Sequence, residues 1–406
     1  MNNHSYRKFN WRKSLRSLWL NVHLYIALVV GFVFAVLGLT GSVNVFFFEL
    51  EELGLPNVVA ENQAQPRSLD AIFQAVQAAH PDKTKSWTLN LPDDSSDYLW
   101  AAYPKPEEKA NEFYAPLRVL VDPYTGKMVS ESFWGDTVWT FIYEIHADFL
   151  TGFINPKIGQ LGFDIICFTG LFLFVSSLTG LYLWWPRGGR FKKAVTIKKG
   201  ASPQRFYFDL HRMTGFYSAV VLLILAFTGF TFSYDDYVKP LVQCFSNVKK
   251  GHLKDPDIKS VVVGNNQPIS IARAVAIANG VFPGSVLREV NTPDSKEGVY
   301  VVGMMQPGDA NHKSPRSKVW IDQYSSKTLA IQDPNQFTAG ETFLNVMWPL
   351  HSGEALGLIG RIVWCLVGIA PLVLYVSGLI RWLHKRKAKQ LKIAKGTEAV
   401  VKVSRP

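Results

Sequence analysis

Four long apolar segments dominate the pattern of hydrophobic and polar residues along the chain. Each is long enough to cross a bilayer, which takes about 20 residues of helix. After the first and third segments the pattern changes to an amphipathic helix and then to short runs typical of strands. The predicted spans are residues 18–48, 157–185, 206–234 and 355–383. The pattern therefore predicts a membrane all-α four-helix transmembrane bundle with two small α+β domains outside the membrane, at 49–156 and 235–354.

Positive charge is concentrated in short segments that flank the spans. The chain has 43 Lys and Arg residues against 32 Asp and Glu, a net charge of +11. Of these basic residues, 21 lie in the segments 1–22, 186–205 and 381–406. This distribution follows the positive-inside rule and is unlike the basic face of a nucleic-acid-binding protein. It predicts lipid contact, no nucleic-acid partner, and a cytoplasmic location for residues 1–17, 186–205 and 384–406.

The chain repeats itself with an offset near 200 residues. His23 precedes Gly41 by 18 residues, and His211 precedes Gly229 by the same number. The offset also relates two glycine series and two turns: Gly162, Gly170 and Gly180 match Gly360, Gly368 and Gly378, and residues 121–127 match 321–327. One unit is a helix, an external domain and a second helix, and the sequence predicts an internal duplication of that unit.

Four histidines occupy matched positions at the ends of the spans. His23 and His211 lie near the cytoplasmic ends of spans one and three, and His146 and His351 precede spans two and four on the opposite side. Ionisable residues beside a span are costly and mark functional sites. Two imidazoles suffice as axial ligands of haem iron, whereas structural zinc takes four N or S ligands. We expect an inner haem on His23 and His211, with His384 as an alternative ligand, and an outer haem on His146 and His351. The alternative is that the rings only form hydrogen bonds between packed helices.

Other residues near the histidines fit the same interpretation. A spacing of 18 residues is five helical turns, so Gly41 shares a helix face with His23, and further small residues follow on that face. Small residues either let helices pack closely or leave room for a flat macrocycle. Arg212 and Arg361 lie near the proposed inner and outer sites. Each is expected to pair with a haem propionate or to be an ordinary helix-end charge.

The combined motifs resemble the PepSY-associated transmembrane family, whose better-studied members are inner-membrane siderophore reductases. The resemblance covers about residues 14 to 386 and rests on Val22-His23-Leu24, Leu39-Thr40-Gly41, Ile145-His146, Thr179-Gly180, Leu210-His211-Arg212, Phe227-Thr228-Gly229 and Leu350-His351-Ser352-Gly353. It implies two periplasmic PepSY-like domains, b-type haem and a bacterial inner-membrane location. The chain lacks the family's usual glycine at Ser326, which leaves the shape of the second turn open.

The expected function is that of an oxidoreductase. The resemblance implies a di-haem b protein that passes electrons to a periplasmic ferric siderophore, or another ferric chelate, and releases ferrous iron. Since no G-x-G-x-x-G follows a predicted strand, the donor is expected to be external, either a quinol or a reduced cytoplasmic protein. One alternative is a membrane protein that binds or inhibits a periplasmic peptidase without redox chemistry. A permease for iron chelates is disfavoured by the few charges within the spans.

Overall fold

The computed structural model describes residues 11–403 except 54, 56–64, 93–96, 105, 187–188, 190, 250–255, 263, 265–266, 310, 313 and 315. Residues 1–10 of the predicted cytoplasmic N-terminus and 404–406 of the predicted tail lie outside the described residues. The chain forms two compact units. The helical unit comprises Met1–Ser42, Cys167–Phe230 and Val363–Pro406, and the sheet unit comprises Val43–Ile166 and Thr231–Ile362.

Helices and strands alternate in two similar series along the chain. The helices are α1 (Trp11–Val29), α2 (Gly31–Asn44), α3 (Phe47–Glu51), α4 (Leu69–Ala79), α5 (Val138–Asp148), α6 (Thr151–Ile154), α7 (Pro156–Trp184), α8 (Phe191–Ala194), α9 (Pro203–Gln243), α10 (Ile271–Val281), α11 (Ala339–Asn345), α12 (Met347–Ser352), α13 (Gly357–Gly368) and α14 (Ala370–Val403). The strands are β1 (Thr88–Asn90), β2 (Leu99–Tyr103), β3 (Leu117–Val121), β4 (Met128–Phe133), β5 (Val286–Asn291), β6 (Val299–Met305), β7 (Ser317–Asp322) and β8 (Thr328–Gln332).

Three helical segments among the described residues are long and apolar enough to cross a membrane. They are Pro156–Trp184, Pro203–Gln243 and Glu354–Leu391, and the predicted spans two, three and four lie on them. The predicted first span overlaps a pair of helices, Ser14–Val29 and Gly31–Asn44, which bend by 63° at a short break. A fourth crossing is present if this bent pair forms one span.

Small residues let the helices of the helical unit approach at backbone distance. A Cβ atom at Gly38 would lie 2.3 Å from the carbonyl oxygen of Gly368, and one at Gly170 would lie 2.7 Å from that of Ala226. Gly38 and Ala226 are equivalent in the repeat, as are Gly368 and Gly170. At these positions the small residues serve close helix packing, one of the two roles that the sequence allowed.

The two α+β modules share one antiparallel sheet of eight strands. The strand order is β4-β3-β2-β1-β5-β6-β7-β8, so the first strands of the two modules pair at the centre. In that pairing Leu89 lies opposite Val290, and Thr88 lies opposite Asn291. The sequence predicted two small α+β domains, and in the structure the strands of both form one continuous sheet. An isolated module would expose the unpaired N–H and C=O groups of β1 or β5, and the pairing removes both edges.

The core of the sheet unit lies between the sheet and helices α4 and α10. Ser68 and Ser270 cap these helices by accepting hydrogen bonds from the third backbone N–H beyond them. Apolar residues of both modules form one continuous buried cluster, which includes Ile72, Val76, Leu89, Val119, Ala274, Ala278, Val290, Val302 and Ile321. Every residue of β3 is buried. On the face of the sheet opposite to this core, Leu120 packs with Trp100.

The two matched turns have the same shape despite the missing glycine. Asp122 Oδ1 accepts hydrogen bonds from the backbone N–H groups two and three residues on, and Asp322 Oδ1 does the same. Gly126 has a φ of +71°, and Ser326 takes the same left-handed region with a φ of +63°. The serine therefore preserves the turn at a cost of about 1 kcal/mol in backbone strain.

A carboxylate of the first module caps a helix of the second. Asp70 Oδ1 accepts a hydrogen bond of 2.7 Å from the N–H of Ile271, and Asp70 Oδ2 accepts one of 3.0 Å from the N–H of Ala272. These two N–H groups lie in the first turn of α10 and have no partner within the helix. The modules are therefore tied by this cap as well as by the central strands.

We predict that Asp70→Ala lowers the free energy of unfolding by about 1–2 kcal/mol, because it removes this cap. Thermal unfolding of the detergent-solubilised protein measures the effect as a lower midpoint. Asp97→Ala, which removes an exposed carboxylate, is the matched control and should leave the midpoint unchanged. Equal midpoints for the two variants would contradict the capping role.

Candidate functional site

His23 on α1 and His211 on α9 face each other inside the helical unit. Their ring centroids are 6.3 Å apart, and the ring planes are nearly perpendicular, at 87°. The structure thus brings together the two histidines that the repeat places at equivalent positions. His384, the alternative inner ligand, is exposed on α14.

Backbone carbonyls fix the ring orientation and the tautomer of both inner histidines. His23 Nδ1 lies 3.0 Å from the carbonyl oxygen of Ser176, and His211 Nδ1 lies 3.0 Å from that of Leu374. Hydroxyl groups of Thr179 and Ser377 lie 3.2 and 3.1 Å from the same nitrogens. A carbonyl oxygen only accepts hydrogen bonds, so we assign the proton to Nδ1 and the free lone pair to Nε2. Metal-ligating histidines have this arrangement.

A glycine lies beside each inner imidazole. A Cβ atom at Gly180 would lie 3.3 Å from Cε1 of His23, and one at Gly378 would lie 3.3 Å from Cε1 of His211. Each glycine directly follows the hydroxyl residue that contacts the ring. The missing side chain lets the imidazole reach the carbonyl of the neighbouring helix.

The outer pair lies in the sheet unit. His146 on α5 and His351 on α12 have ring centroids 6.3 Å apart and planes inclined by 59°. The ring of Phe232 on α9 packs edge-on against His351 at 5.0 Å. The same separation therefore recurs in both pairs, and each pair takes one histidine from each half of the duplicated chain.

An aromatic cluster positions α5 and with it His146. The indole N–H of Trp134, just after β4, donates a hydrogen bond to Glu144. The ring of Tyr143 packs against Trp134 at 5.0 Å and against Phe47 of α3 at 5.8 Å. Burial raises the pKa of Glu144 to about 7 and that of Tyr143 to about 12. Aromatic contacts of Tyr143 and the hydrogen bond from Trp134 to Glu144 thus hold one side of α5, the helix that carries His146.

The two arginines proposed from the sequence have protein partners. Arg212 donates to Asp209 at 3.0 Å and to carbonyl oxygens in the loop that contains α8. Arg361 donates to the carbonyl oxygen of Val45 at 2.7 Å and pairs with Glu49 at 2.6 Å. Their guanidinium groups therefore have structural roles within the helical unit and the sheet unit, respectively.

The ring separation of both pairs is compatible with one metal ion bound between two imidazoles. Metal–imidazole bonds of about 2.0–2.1 Å, with about 1.1 Å from the nitrogen to the ring centre, separate two facing ring centres by roughly 6.3 Å. Both pairs have this separation. Among the described residues, no group of three or more His, Cys, Asp or Glu side chains is placed to hold a metal ion. Two imidazoles suit haem iron, whereas zinc sites use three or four protein ligands.

Sequence reasoning found the four histidines but not the groups that hold them. The sequence contains a repeated signal for these groups, because a hydroxyl residue precedes a glycine at Thr179-Gly180 and again at Ser377-Gly378. Arg381 also lies near the inner pair and was not predicted. The repeat carries no signal for it, because the equivalent residue of the second span is Leu183.

Comparison with known protein families finds one match that covers most of the chain. The family model described as the PepSY-associated TM region matches residues 20–385, which include both histidine pairs. With the apolar helices of the described residues, this match identifies a multi-pass membrane protein. No curated protein matches the chain.

If the inner pair binds haem, we predict that Gly180→Ala and Gly378→Ala each weaken haem retention, because a Cβ atom 3.3 Å from Cε1 crowds the imidazole. The measurement is the haem-to-protein ratio after purification, and a loss of up to one haem per chain is expected. Gly280→Ala is the matched control, since a Cβ atom there meets no heavy atom within 4 Å. Equal ratios in all three variants would contradict the proposed role of the glycines.

Proposed function

Because the chain belongs to the PepSY-associated transmembrane family, we propose that it is a di-haem b reductase of the bacterial inner membrane. It passes electrons across the membrane to a periplasmic ferric siderophore and releases ferrous iron. The observation that supports this proposal is the presence of two histidine pairs. In each pair the ring centroids are 6.3 Å apart, and each half of the chain contributes one histidine.

The chain supplies ligands, and the cofactor supplies the redox change. A bound b-type haem provides one-electron exchange between ferric and ferrous iron. His23 and His211 would hold the inner haem through Nε2, since their Nδ1 atoms donate to carbonyl oxygens. Such a bond fixes the tautomer and makes the lone pair of Nε2 more basic. His146 and His351 would hold the outer haem.

Charge and topology determine the direction of electron flow in the proposal. The basic segments before span one, between spans two and three, and after span four place the inner pair at the cytoplasmic side. The donor is a quinol or a reduced cytoplasmic protein, and a quinol that loses two electrons and two protons would reduce two ferric ions. Oxygen-rich chelators bind ferric iron, the harder ion, more tightly, so reduction favours release.

We expect His146→Ala and His351→Ala each to lower the haem content from two per chain to one, because the outer haem loses an axial ligand. Reduction of a ferric siderophore by the purified, chemically reduced protein should fall to the background rate. His23→Ala and His211→Ala should remove the other haem. The measurements are haem stoichiometry and the rate of ferrous iron release to a colorimetric chelator.

The exposed residue His312 provides the matched control. His312→Ala should retain both haems and the wild-type rate. Two haems and full activity in both outer-pair variants would disprove the outer site. If His384→Ala loses the inner haem and His23→Ala retains it, the inner ligand is His384 and not His23.

A further inference from the structure

Arg381 lies beside the inner histidine pair. It is half-buried on α14, one helical turn after Ser377, whose hydroxyl contacts His211. Phe208, whose ring Arg381 contacts, lies three residues before His211 on α9. The centre of the Arg381 guanidinium lies 4.5 Å from the ring centroid of Phe208, which is a cation–π contact.

Arg381 lacks the anionic partner that its neighbours have. Arg205 and Arg212 both pair with the buried carboxylate of Asp209, at 2.8 and 3.0 Å. Within the part of the chain that the structure describes, Arg381 makes no ion pair or hydrogen bond. Its guanidinium contacts the face of the Phe208 ring. A cation at the end of a span is costly unless it is paired. An anion from outside the protein would supply the partner that Arg381 lacks.

We infer that Arg381 binds a propionate carboxylate of the haem held by His23 and His211. This inference rests on the proposed function. A guanidinium forms two parallel hydrogen bonds with a carboxylate, and Phe208 already orders the group for such a contact. The half-buried position, one helical turn from the residue that contacts His211, favours a propionate over a lipid phosphate, which would meet an arginine that extends from the helix end.

If Arg381 binds a propionate, it stabilises the haem-loaded protein but does not stabilise the haem-free protein. In the haem-free protein the guanidinium is an uncompensated charge, so Arg381→Gln should leave the thermal midpoint unchanged or raise it. In the haem-loaded protein the same change removes a charge-assisted contact, so haem should dissociate about ten times faster. A purely structural arginine would instead stabilise both forms.

The experiment compares wild type, Arg381→Gln, Arg381→Lys and Arg386→Gln, first in detergent without added lipid and then in phosphatidylglycerol vesicles. Haem transfer to apomyoglobin measures dissociation, redox titration measures the midpoint potential of the inner haem, and thermal unfolding is followed for both forms. Arg381→Gln should lose haem about ten times faster and have a lower potential, because a positive charge that disfavours the ferric state is gone. Arg381→Lys should be intermediate, since it keeps the charge without the planar fork.

Arg386 is the matched control, because it is exposed on the same helix and, among the described residues, its guanidinium contacts only Trp382, at 5.3 Å. Arg386→Gln should have the wild-type rate and potential. A wild-type rate and potential in Arg381→Gln, or equal destabilisation of both forms, would overturn the inference. So would an effect that is present only with phosphatidylglycerol vesicles, which would assign Arg381 to lipid phosphate. A wild-type protein without haem would overturn the proposed function as well.

Discussion

The hydrogen bond from each inner imidazole to a backbone carbonyl is the interaction on which the account of this protein depends. It joins α1 to α7 through His23 and α9 to α14 through His211. A helix carbonyl normally accepts from the N–H four residues on, so its oxygen has a second lone pair for such a bond. The bond assigns the tautomer, and the tautomer leaves Nε2 able to bind a metal. Gly180 and Gly378 suit the same contact, because a Cβ atom at either position would lie 3.3 Å from the ring and crowd it.

Duplication explains why this interaction occurs twice and why both sites combine the two halves. Ser176 and Thr179 in the first half correspond to Leu374 and Ser377 in the second. The same relation governs the sheet unit, where β1 and β5 pair as the equivalent strands of the two modules. Each half alone would leave an unpaired strand edge and a histidine without its counterpart. The fold is therefore complete only when both halves are present.

The sequence predicted the features that depend on local pattern. Apolar length located spans two, three and four, and the same spacing from His23 to Gly41 and from His211 to Gly229 identified the repeat. It did not predict the joined sheet, because pairing of β1 with β5 depends on the approach of two distant edges and not on either strand alone. Arg212 and Arg361 were proposed from position, whereas the structure gives them Asp209 and Glu49 as partners. Ser326 shows the limit of residue preference, since it takes the backbone conformation of Gly126.

The central claim is that paired imidazoles from the two halves bind iron porphyrin at two levels. A reduced-minus-oxidised visible spectrum of the wild-type protein, purified in detergent from haem-replete cells, tests it most directly when combined with a haem assay per chain. The account predicts a b-type spectrum and two haems per chain. A folded protein that is colourless would contradict it and would favour a membrane protein that binds a peptidase without redox chemistry.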